Sequence, residues 1–507
     1  MNPVSPRRTA LVLGAGPAGL TAAAELLVRT DYRPVVVEPL SRVGGLARTE
    51  VHAGNRIDIG GHRFFTRSAR VEAWWLARLP AEGAGGPDPT RTDRVMLRRS
   101  RVSRILFAGR LFRYPIQADA ETVRLLGPAR VRRILVSYLR ARLRPRPEVS
   151  LEDFFVNRFG RELYATFFKD YTEKVWGVAC DQLPAEWGAQ RVKGLSIGRA
   201  MLHAARARLG TGPPVARETS LIESFLYPKL GPGQLWEAVA DEVVAAGGEV
   251  RLGQRAERLV LRGGNVVAVW VRDLATGALV ELPAPDLVIS TMPLQDLVAA
   301  CEGDVPAGAR EVAAGLRYRD FLTVGLLLPR AAPAARLEPI GAMPDNWIYI
   351  QEPGVKAGRM QLFHNWSPYL VADPGMAWVG MEYFCTEGDA LWTRSDAELI
   401  RFAADELARV GVADAAAVRD GVVLRVPKAY PAYLGDYRRL PELRAFLDGV
   451  GNLRVVGRNG MHRYNNQDHS MLAAMIAVDL LAAGSDDREP IWAVNTEAEY
   501  HEGSRAR

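Results

Sequence analysis

The sequence predicts an α/β fold that is built around a parallel sheet. One observation is a glycine-rich turn that joins an apolar strand to a helix near the N-terminus, and another is a β-branched strand that follows and ends in an acid. A third is length, because 507 residues exceed what one hydrophobic core usually supports. We therefore expect at least two packed domains.

The N-terminal segment TALVLGAGPAGLTAAAELLVRT predicts a strand, a tight turn and a helix. Its glycines Gly14, Gly16 and Gly19 form the pattern G-x-G-x-x-G. The first permits the turn, the second lets the backbone approach a pyrophosphate, and the third lets the helix pack close to the strand. Because the helix N-terminus presents free N–H groups to phosphate, we expect a dinucleotide here.

The next strand, PVVVE, ends in Glu38, whose carboxylate is placed to bind ribose hydroxyls. The segment SRVGGLART then adds Gly44 and Gly45 as a second turn of close approach. This extension resembles the glutathione-reductase-like FAD proteins, specifically the amine oxidase and protoporphyrinogen oxidase branch. The resemblance implies FAD as the cofactor, bound by a Rossmann domain that carries inserted helical and α+β substrate domains.

Later segments repeat the alternation of strand, loop and helix, and in the flavoprotein branch that this sequence resembles such a closing loop and helix lie against the flavin. The resemblance therefore implies a discontinuous FAD-binding domain. The predicted division is residues 1–100, 211–304 and 426–484 for the FAD-binding domain, 101–210 for a helical substrate or lid domain, 305–425 for a sheet-containing substrate domain, and 485–507 for a flexible tail.

The segment LEDFFVNRFGRELYATFFKDYTEKVWG predicts two helices with a break at Gly160 and an end at Gly177, after a capping box that starts at Ser150. Phe167 and Tyr171 are four residues apart, so they should share a helical face. On composition alone, an aromatic face with this spacing is usually core.

The same segment resembles the F-F-K-G-Y-T-x-K-Q-W-G signature of UDP-galactopyranose mutases, and DIGGHRFFT, RYPIQ, NWIYIQEPGVKAGRMQLFHNWSPY, KAYPAY and GRNGMHRYNNQDHSM resemble other segments of that family. The resemblance implies a substrate site formed by Tyr114, Gln117, Phe167, Tyr171, Trp176, Trp347, Tyr349, Tyr430, Tyr464 and Asn466. It implies that Arg191 and Arg359 hold a diphosphate, and it places Gly61, His62 and Arg458 beside the flavin.

The implied activity is the interconversion of pyranose and furanose forms of a nucleotide-diphosphate sugar. In that family N5 of the reduced flavin is the nucleophile at the anomeric carbon, with His62, Arg191 and Arg359 as the matching catalytic positions here. NADPH, NADH or a partner reductase would supply the electrons that reduce the FAD. On the residues alone, His62 could equally be structural and the arginines could form surface salt bridges.

A second function fits the N-terminal segment equally well, namely an FAD-dependent oxidoreductase of the amine oxidase or protoporphyrinogen oxidase type. Among mutase substrates, the motifs leave galactose, fucose, arabinose or a rarer sugar open, and UDP, TDP or GDP as the nucleotide. They do not fix the oligomeric state.

Composition narrows the class of protein. The formal net charge of +7 suits an anionic small ligand, and the seven histidines show no metal-binding spacing. The three cysteines, Cys180, Cys301 and Cys385, are far apart and odd in number, which favours a reducing cytoplasm without disulfides. No uninterrupted apolar run reaches the ~18–20 residues of a membrane span.

The segment ARVRRILVSYLRARLRPRP, residues 129–147, is basic and amphipathic. A solvated helix face is the simpler interpretation, and a peripheral membrane contact is the alternative. We do not expect nucleic-acid binding, because no aromatic platform or binding motif accompanies the charge.

Overall fold

The structure is a computed structural model that describes residues 8–116, 119–185, 224–334 and 336–495. It confirms the predicted α/β class, with a parallel sheet, a large mixed sheet and a helical layer. Within the described ranges no helix is long and apolar enough to cross a membrane.

The strands of the described ranges are β1 (Arg8–Leu13), β2 (Tyr32–Glu38), β3 (Thr49–His52), β4 (Asn55–Asp58), β5 (Met96–Ser100), β6 (Ser103–Phe107), β7 (Arg110–Arg113), β8 (Ser224–Pro228), β9 (Glu249–Leu252), β10 (Gln254–Arg262), β11 (Asn265–Asp273), β12 (Leu279–Leu282), β13 (Leu287–Ser290), β14 (Cys301–Gly303), β15 (Leu316–Pro329), β16 (Trp347–Ile350), β17 (Arg359–Leu362), β18 (Met376–Cys385), β19 (Asp420–Gly435) and β20 (Leu453–Val455).

The α-helices of the described ranges are α1 (Pro17–Arg29), α2 (Ala69–Arg78), α3 (Ala120–Leu126), α4 (Pro128–Leu143), α5 (Leu151–Phe159), α6 (Arg161–Phe167), α7 (Lys169–Trp176), α8 (Gly233–Ala245), α9 (Leu294–Ala300), α10 (Ala307–Gly315), α11 (Phe363–Trp366), α12 (Asp396–Arg409), α13 (Leu440–Asp448), α14 (Gly457–Gly460), α15 (Gln467–Ala482) and α16 (Glu489–Trp492).

A five-stranded parallel sheet, in the order β20-β13-β1-β2-β9, forms the nucleotide-binding half. Its central strands β1, β2 and β13 are largely buried apolar runs, and α1 packs against α8 and α15. Because parallel strands end at the same edge, Leu13, Glu38, Ser290 and Val455 bring the turns that follow them together.

A seven-stranded sheet, in the order β19-β15-β18-β17-β16-β6-β7, faces this edge. Its outer hairpin, residues 103–113, was predicted to belong to the helical domain, and residues 426–435 of β19 were predicted to belong to the FAD-binding domain. Both boundaries are misplaced, because β6 pairs with β16 and β19 pairs with β15 along their lengths. Neither long-range pairing leaves a local sequence signal.

The helices α3 to α7 form a layer, and within it the start of α5, the break before α6 and the end of α7 lie where the sequence predicts them. Ser150 caps α5 in a capping box, Gly160 separates α5 from α6, and Gly177 ends α7 in the left-handed region. The shared face of Phe167 and Tyr171 is a wrong prediction, because the backbone leaves the helix between α6 and α7 and places the two residues on different helices.

The expected flexible tail, residues 485–507, is wrong for residues 485–495. Arg488 donates to the carbonyl groups of Leu447 and Val450 over 2.9 and 2.8 Å, and Trp492 is only 3% exposed. The burial of the Trp492 ring and the hydrogen bond from its Nε1 to the carboxylate of Asp448 hold the segment against α13. Residues 496–507 lie outside the described ranges.

A buried carboxyl group links the β3–β4 hairpin to β8. Asp58 accepts hydrogen bonds from the hydroxyl groups of Thr49 (2.8 Å) and Tyr227. Burial raises the pKa of Asp58 to about 7, against the opposing effect of the two hydroxyl donors. The fold therefore favours the neutral carboxyl group.

We expect this group to make stability depend on pH. Since its folded-state pKa lies above the unfolded value of 3.8, its contribution is complete below about pH 4 and is lost as the pH rises through about 7. The loss amounts to about 4 kcal/mol of unfolding free energy. Asp58→Asn should flatten the decline between about pH 4 and about pH 7, measured by urea unfolding. A variant with the wild-type slope would contradict this expectation.

Candidate active site

The predicted glycine turn lies where β1 ends at the edge of the parallel sheet. A Cβ atom on Gly19 would lie 1.9 Å from the carbonyl oxygen of Gly14, so α1 crosses the turn in direct backbone contact. Gly16 caps α1 without a side-chain hydrogen bond and, together with Gly14 and Pro17, lines a cavity. The open N-terminus of α1 therefore offers N–H donors to a phosphate.

The second glycine turn packs on the first. The N–H of Gly44 donates to the carbonyl oxygen of Ala15 over 2.8 Å, and a Cβ atom on Gly45 would lie 2.9 Å from the Cα atom of Gly16. The structure thus places Gly44 and Gly45 at a point of close backbone approach, as expected. Gly45 lines the cavity, whereas Gly44 supports it from behind.

Glu38 lines the same cavity, but its carboxylate already accepts two backbone hydrogen bonds, from Ala15 (2.8 Å) and Leu40 (3.1 Å). Burial raises its pKa, and these two N–H groups oppose the increase. Glu38 therefore holds the turn in addition to facing the ligand, a role that the sequence did not reveal. Its contact with a ribose stays a prediction.

The cavity has a volume of about 1600 Å³ and extends from the glycine turns to the seven-stranded sheet. Single small-molecule sites typically enclose roughly 300–1,000 Å³. The space therefore suits a long cofactor together with a second ligand. At the end away from the glycine turns, the walls come from β16, β17, β19 and the loop before α15.

His62 stands in the loop that joins the two ends of the cavity. Its Nδ1–H donates to the carbonyl oxygen of Gly60 over 2.9 Å, which leaves Nε2 as an acceptor. Burial lowers the pKa of His62 to about 4; the Gly60 hydrogen bond opposes this, and the charges of Arg458 and Arg359 add to it. The imidazole is therefore neutral at ordinary pH.

Gly61, also predicted beside the cofactor, lines the cavity and packs tightly from behind. A Cβ atom at this position would lie 3.0 Å from Nε2 of Gln361 and 3.1 Å from the ring of Trp366. The loop that carries His62 therefore rests directly on β17 and on the helix that follows it.

Arg359 lines the substrate end of the cavity from β17. It lies directly opposite Glu382 of β18, and its Nε donates to that fully buried carboxylate. Burial tends to lower the pKa of Arg359, but the Glu382 charge and nearby tyrosine hydroxyls hold it well above the usual value. One Nη2–H donates to the Tyr430 hydroxyl (3.0 Å), and among the described residues the other three N–H donors have no protein acceptor.

Arg458 lies on α14, where the chain turns back from the parallel sheet. Its guanidinium stacks on the rings of Tyr430 and Tyr464, with ring-centroid distances of 4.9 and 4.2 Å. Its Nε and Nη2 atoms are buried and have no hydrogen-bond partner among the described residues. Buried donors of this kind are costly unless a ligand supplies acceptors. Together with the glycine turns, this arrangement fits FAD.

Most of the predicted substrate residues meet in this cavity. Those that line it are Tyr114, Trp347, Tyr349, Tyr430, Tyr464 and Asn466. Tyr171 lies one layer behind, with its ring 5.4 Å from that of Tyr349 in an edge-to-face arrangement. Gln117 and Arg191 fall outside the described residues, so their positions stay predictions.

Phe167 and Trp176, which were also predicted to contact the substrate, lie away from the cavity. Phe167 packs between Phe107 and Phe112, with ring-centroid distances of 5.4 and 5.3 Å, and Trp176 is buried in the core of the helical layer. Neither lines the cavity formed by the described residues. Both apolar rings gain more from the core, as aromatic residues with helical spacing usually do.

Two arginines that the sequence analysis missed line the substrate end. The guanidinium of Arg101 lies over the rings of Tyr114 and Trp347, 5.8 and 5.3 Å from their centroids, and that of Arg63 lies 5.9 Å from Trp347. Their sequence signals were weak: Arg63 directly follows His62, and Arg101 stands in a run of basic residues.

Charge in the cavity is mainly positive. Nine basic side chains line it against five acidic ones in the described chain; the basic residues are Arg48, Arg63, Arg101, Arg255, Arg359, Arg425, Lys428, Arg458 and Arg463, and the acidic residues are Glu38, Glu257, Asp296, Glu387 and Asp468. Low-dielectric walls strengthen this field, so the cavity favours anionic ligands.

Comparison with known proteins agrees with this site. The family described as flavin containing amine oxidoreductase matches residues 17–465. A crystal structure of reduced UDP-galactopyranose mutase is similar at 21% identity and a TM-score of 0.77, with 97% of each chain covered. A putative protoporphyrinogen oxidase from Exiguobacterium sp. 255-15 is similar at 16% identity and a TM-score of 0.68, covering 94% of this chain and 99% of the other.

A redesigned putrescine oxidase, a triple mutant, is similar at 17% identity and a TM-score of 0.59, covering 94% of this chain and 99% of the other. These likenesses show a shared fold, and the family match extends from α1 to the loop before α15. The glycine turns, the open end of α1 and the buried donors of Arg458 accord with the FAD that this family uses. The chain belongs to the flavin-containing amine oxidoreductase family and is an FAD-dependent protein of that fold.

Proposed function

We propose that this chain is a flavin-dependent mutase that interconverts the pyranose and furanose forms of a nucleotide-diphosphate sugar. The observation that carries the proposal is that Arg359 keeps three N–H donors without a protein acceptor among the described residues. It lies at the substrate end of the cavity that the predicted cofactor residues also line. The fold shared with reduced UDP-galactopyranose mutase supports it.

The charge of the cavity supports an anionic substrate. A nucleotide-diphosphate sugar carries about two negative charges, which planar guanidinium donors bind bidentately. An amine substrate would be a cation, and the excess of arginine would repel it. The basic lining therefore favours a phosphorylated substrate over an amine.

Arg359 is suited to hold a diphosphate because Glu382 fixes its orientation. The Glu382 carboxylate takes Nε, and Gln361 donates to its other oxygen over 2.9 Å, so the carboxylate is held on both sides. The edge of the guanidinium that faces the cavity can then donate to a departing diphosphate without rearrangement. Arg191, outside the described residues, is the second predicted donor.

The aromatic wall suits a nucleobase or a sugar face. The rings of Tyr114 and Tyr349 lie 4.6 Å apart at 39°, and Tyr171 supports Tyr349 from behind. Flat ligands stack on such surfaces with favourable contact energy. We assign the base to the Tyr114–Tyr349 side and the sugar to the side of Tyr430 and Tyr464.

A reduced flavin bound here would supply a nucleophilic nitrogen and leave no net redox change. The residues of the chain would position the reaction around it. Neutral His62 offers Nε2 as an acceptor, so contacts through it should not titrate between about pH 5 and about pH 8. The Tyr430 hydroxyl accepts from Nη2 of Arg359, and the Tyr430 ring stacks on that of Tyr464 with a centroid distance of 5.6 Å. Because Arg458 lies over both rings, Tyr430 connects the positions of Arg359 and Arg458.

The test is a product assay with the holoenzyme. Dithionite-reduced protein is incubated without oxygen with UDP-galactopyranose and then with other UDP-, TDP- and GDP-sugars, and the pyranose and furanose forms are separated by chromatography. We expect interconversion with at least one sugar, and only when the flavin is reduced. Bleaching of the flavin absorbance by NADPH or NADH identifies the reductant.

The oxidase alternative gives a different result in the same experiment. An enzyme of the amine oxidase or protoporphyrinogen oxidase type would consume oxygen and release hydrogen peroxide with its substrate. Peroxide formation with an amine or a porphyrinogen, combined with no interconversion of any nucleotide sugar, would refute the mutase proposal. Competition by free UDP, TDP or GDP supplies a second readout that does not depend on turnover.

A further inference from the structure

The outer face of the helical layer carries an unusual combination of charge and exposed apolar surface. Residues 128–147 contain seven arginines and no aspartate or glutamate. Most of this segment is α4, which packs against α5 and α6. Ile134 is the buried residue of the helix, on the side that meets these neighbours.

The opposite face of α4 leaves large aliphatic side chains in water. Val136, Leu139 and Leu143 are 41, 57 and 81% exposed. Their spacing of three and four residues places them on one stripe of the helix. A helix that only covers a domain would bury its apolar stripe, whereas residues 8–116, 119–185, 224–334 and 336–495 leave these three side chains exposed.

Arginines without partners flank this stripe. Arg132 and Arg140 lie one turn from Val136, and together with Arg142 they have no carboxylate or hydrogen-bond acceptor within the described ranges. The nearby acidic residues already form salt bridges with other arginines. The nitrogen-to-oxygen distance is 3.0 Å between Arg133 and Glu162 and 2.8 Å between Arg158 and Glu148. The stripe therefore presents net positive charge around an apolar centre.

We propose that this face of α4 binds the surface of an anionic phospholipid membrane. An interfacial helix needs aliphatic residues that enter the headgroup region and arginines that meet phosphate, and both stand on one exposed stripe here. The proposal is independent of the sugar chemistry assigned to the cavity.

Two other occupants fit less well. A second copy of the same face would set unneutralised arginines against one another, because a twofold contact pairs like with like. A nucleic acid would use the arginines but would leave Val136, Leu139 and Leu143 without an apolar partner. A phospholipid surface satisfies both features.

The test is co-sedimentation of the full-length holoenzyme with vesicles. One set contains phosphatidylcholine alone, and the other contains equal parts of phosphatidylcholine and phosphatidylglycerol. We expect binding to the second set, weakened by salt. Since each arginine near an anionic surface is worth about fivefold in binding, Arg132→Gln with Arg140→Gln should weaken it by about 25-fold.

A second variant tests the apolar part, and a matched variant controls for surface change. Leu139→Gln with Leu143→Gln should weaken binding by about tenfold or more. Val280→Gln with Arg262→Gln makes the same kinds of change on exposed residues of β12 and β10 and should bind like the wild type. Flavin content and thermal midpoint verify that each variant is folded.

Several outcomes would overturn the proposal. They are equal sedimentation with both vesicle sets, equal loss in the control variant, or unchanged binding in both α4 variants. Tighter binding to a DNA or RNA oligonucleotide that the arginine variant abolishes would assign the face to nucleic acid. A dimer in vesicle-free solution that Leu139→Gln with Leu143→Gln dissociates would assign it to self-association.

Discussion

Arg359→Met should reduce turnover in the product assay by about 10²–10³-fold, because it removes the donors that face the substrate end of the cavity. It should also destabilise the fold by about 3–5 kcal/mol, since Glu382 is fully buried and would lose its cationic partner. Turnover and unfolding free energy are measured separately, the second by urea titration of the holoenzyme.

A double variant separates these two effects. In Arg359→Met with Glu382→Gln no uncompensated charge stays buried, so most of the lost stability should return, whereas turnover should stay low. Tyr430→Phe is the milder control, because it removes only the hydroxyl that accepts from Nη2 of Arg359. If turnover recovered in parallel with stability in the double variant, Arg359 would be a structural residue and its assignment to the substrate would be wrong.

Gly45→Ala should remove most of the FAD. The residue has φ +52°, and its new Cβ atom would lie 2.9 Å from the Cα atom of Gly16, so the two glycine turns would have to separate. Strain and overpacking together are worth about 2–4 kcal/mol, which corresponds to about 30- to 1,000-fold in FAD affinity. The ratio of flavin to protein absorbance after gel filtration measures the loss.

Gly263→Ala is the matched control for this variant. Gly263 has almost the same backbone angle, φ +56°, but a Cβ atom there would meet nothing within 4 Å. It should lose about 1 kcal/mol of stability from the left-handed conformation and keep its FAD. Equal flavin loss in both variants would show that backbone strain, and not the contact with Gly16, controls cofactor binding.

The sequence predicted the nucleotide-binding turn well because every requirement of that turn is local. Gly14, Gly16 and Gly19 lie within six residues of one strand–turn–helix unit, and their backbone contacts follow from their spacing. The capping box at Ser150 and the break at Gly160 are local in the same sense. These features needed no knowledge of distant parts of the chain.

The misplaced elements depend on distant partners. Residues 103–113 join the seven-stranded sheet only because β16, more than 230 residues later, pairs with β6. The partner of Arg359 could not be identified either, because Glu382 becomes its neighbour through the register of β17 and β18. For Phe167 and Trp176, family resemblance suggested ligand contact, whereas the structure packs both side chains in hydrophobic clusters that depend on distant strands and helices.

The positions of β19 and β20 have a consequence for synthesis of the protein. Both strands lie at the edges of their sheets, yet they are the last strands of the described chain, at residues 420–435 and 453–455. A nascent polypeptide on the ribosome therefore cannot complete the seven-stranded sheet until translation has passed residue 435, or the parallel sheet until it has passed residue 455. A nonsense mutation before residue 420 would remove both strands and leave one open edge on each sheet, and such edges are ready templates for aggregation.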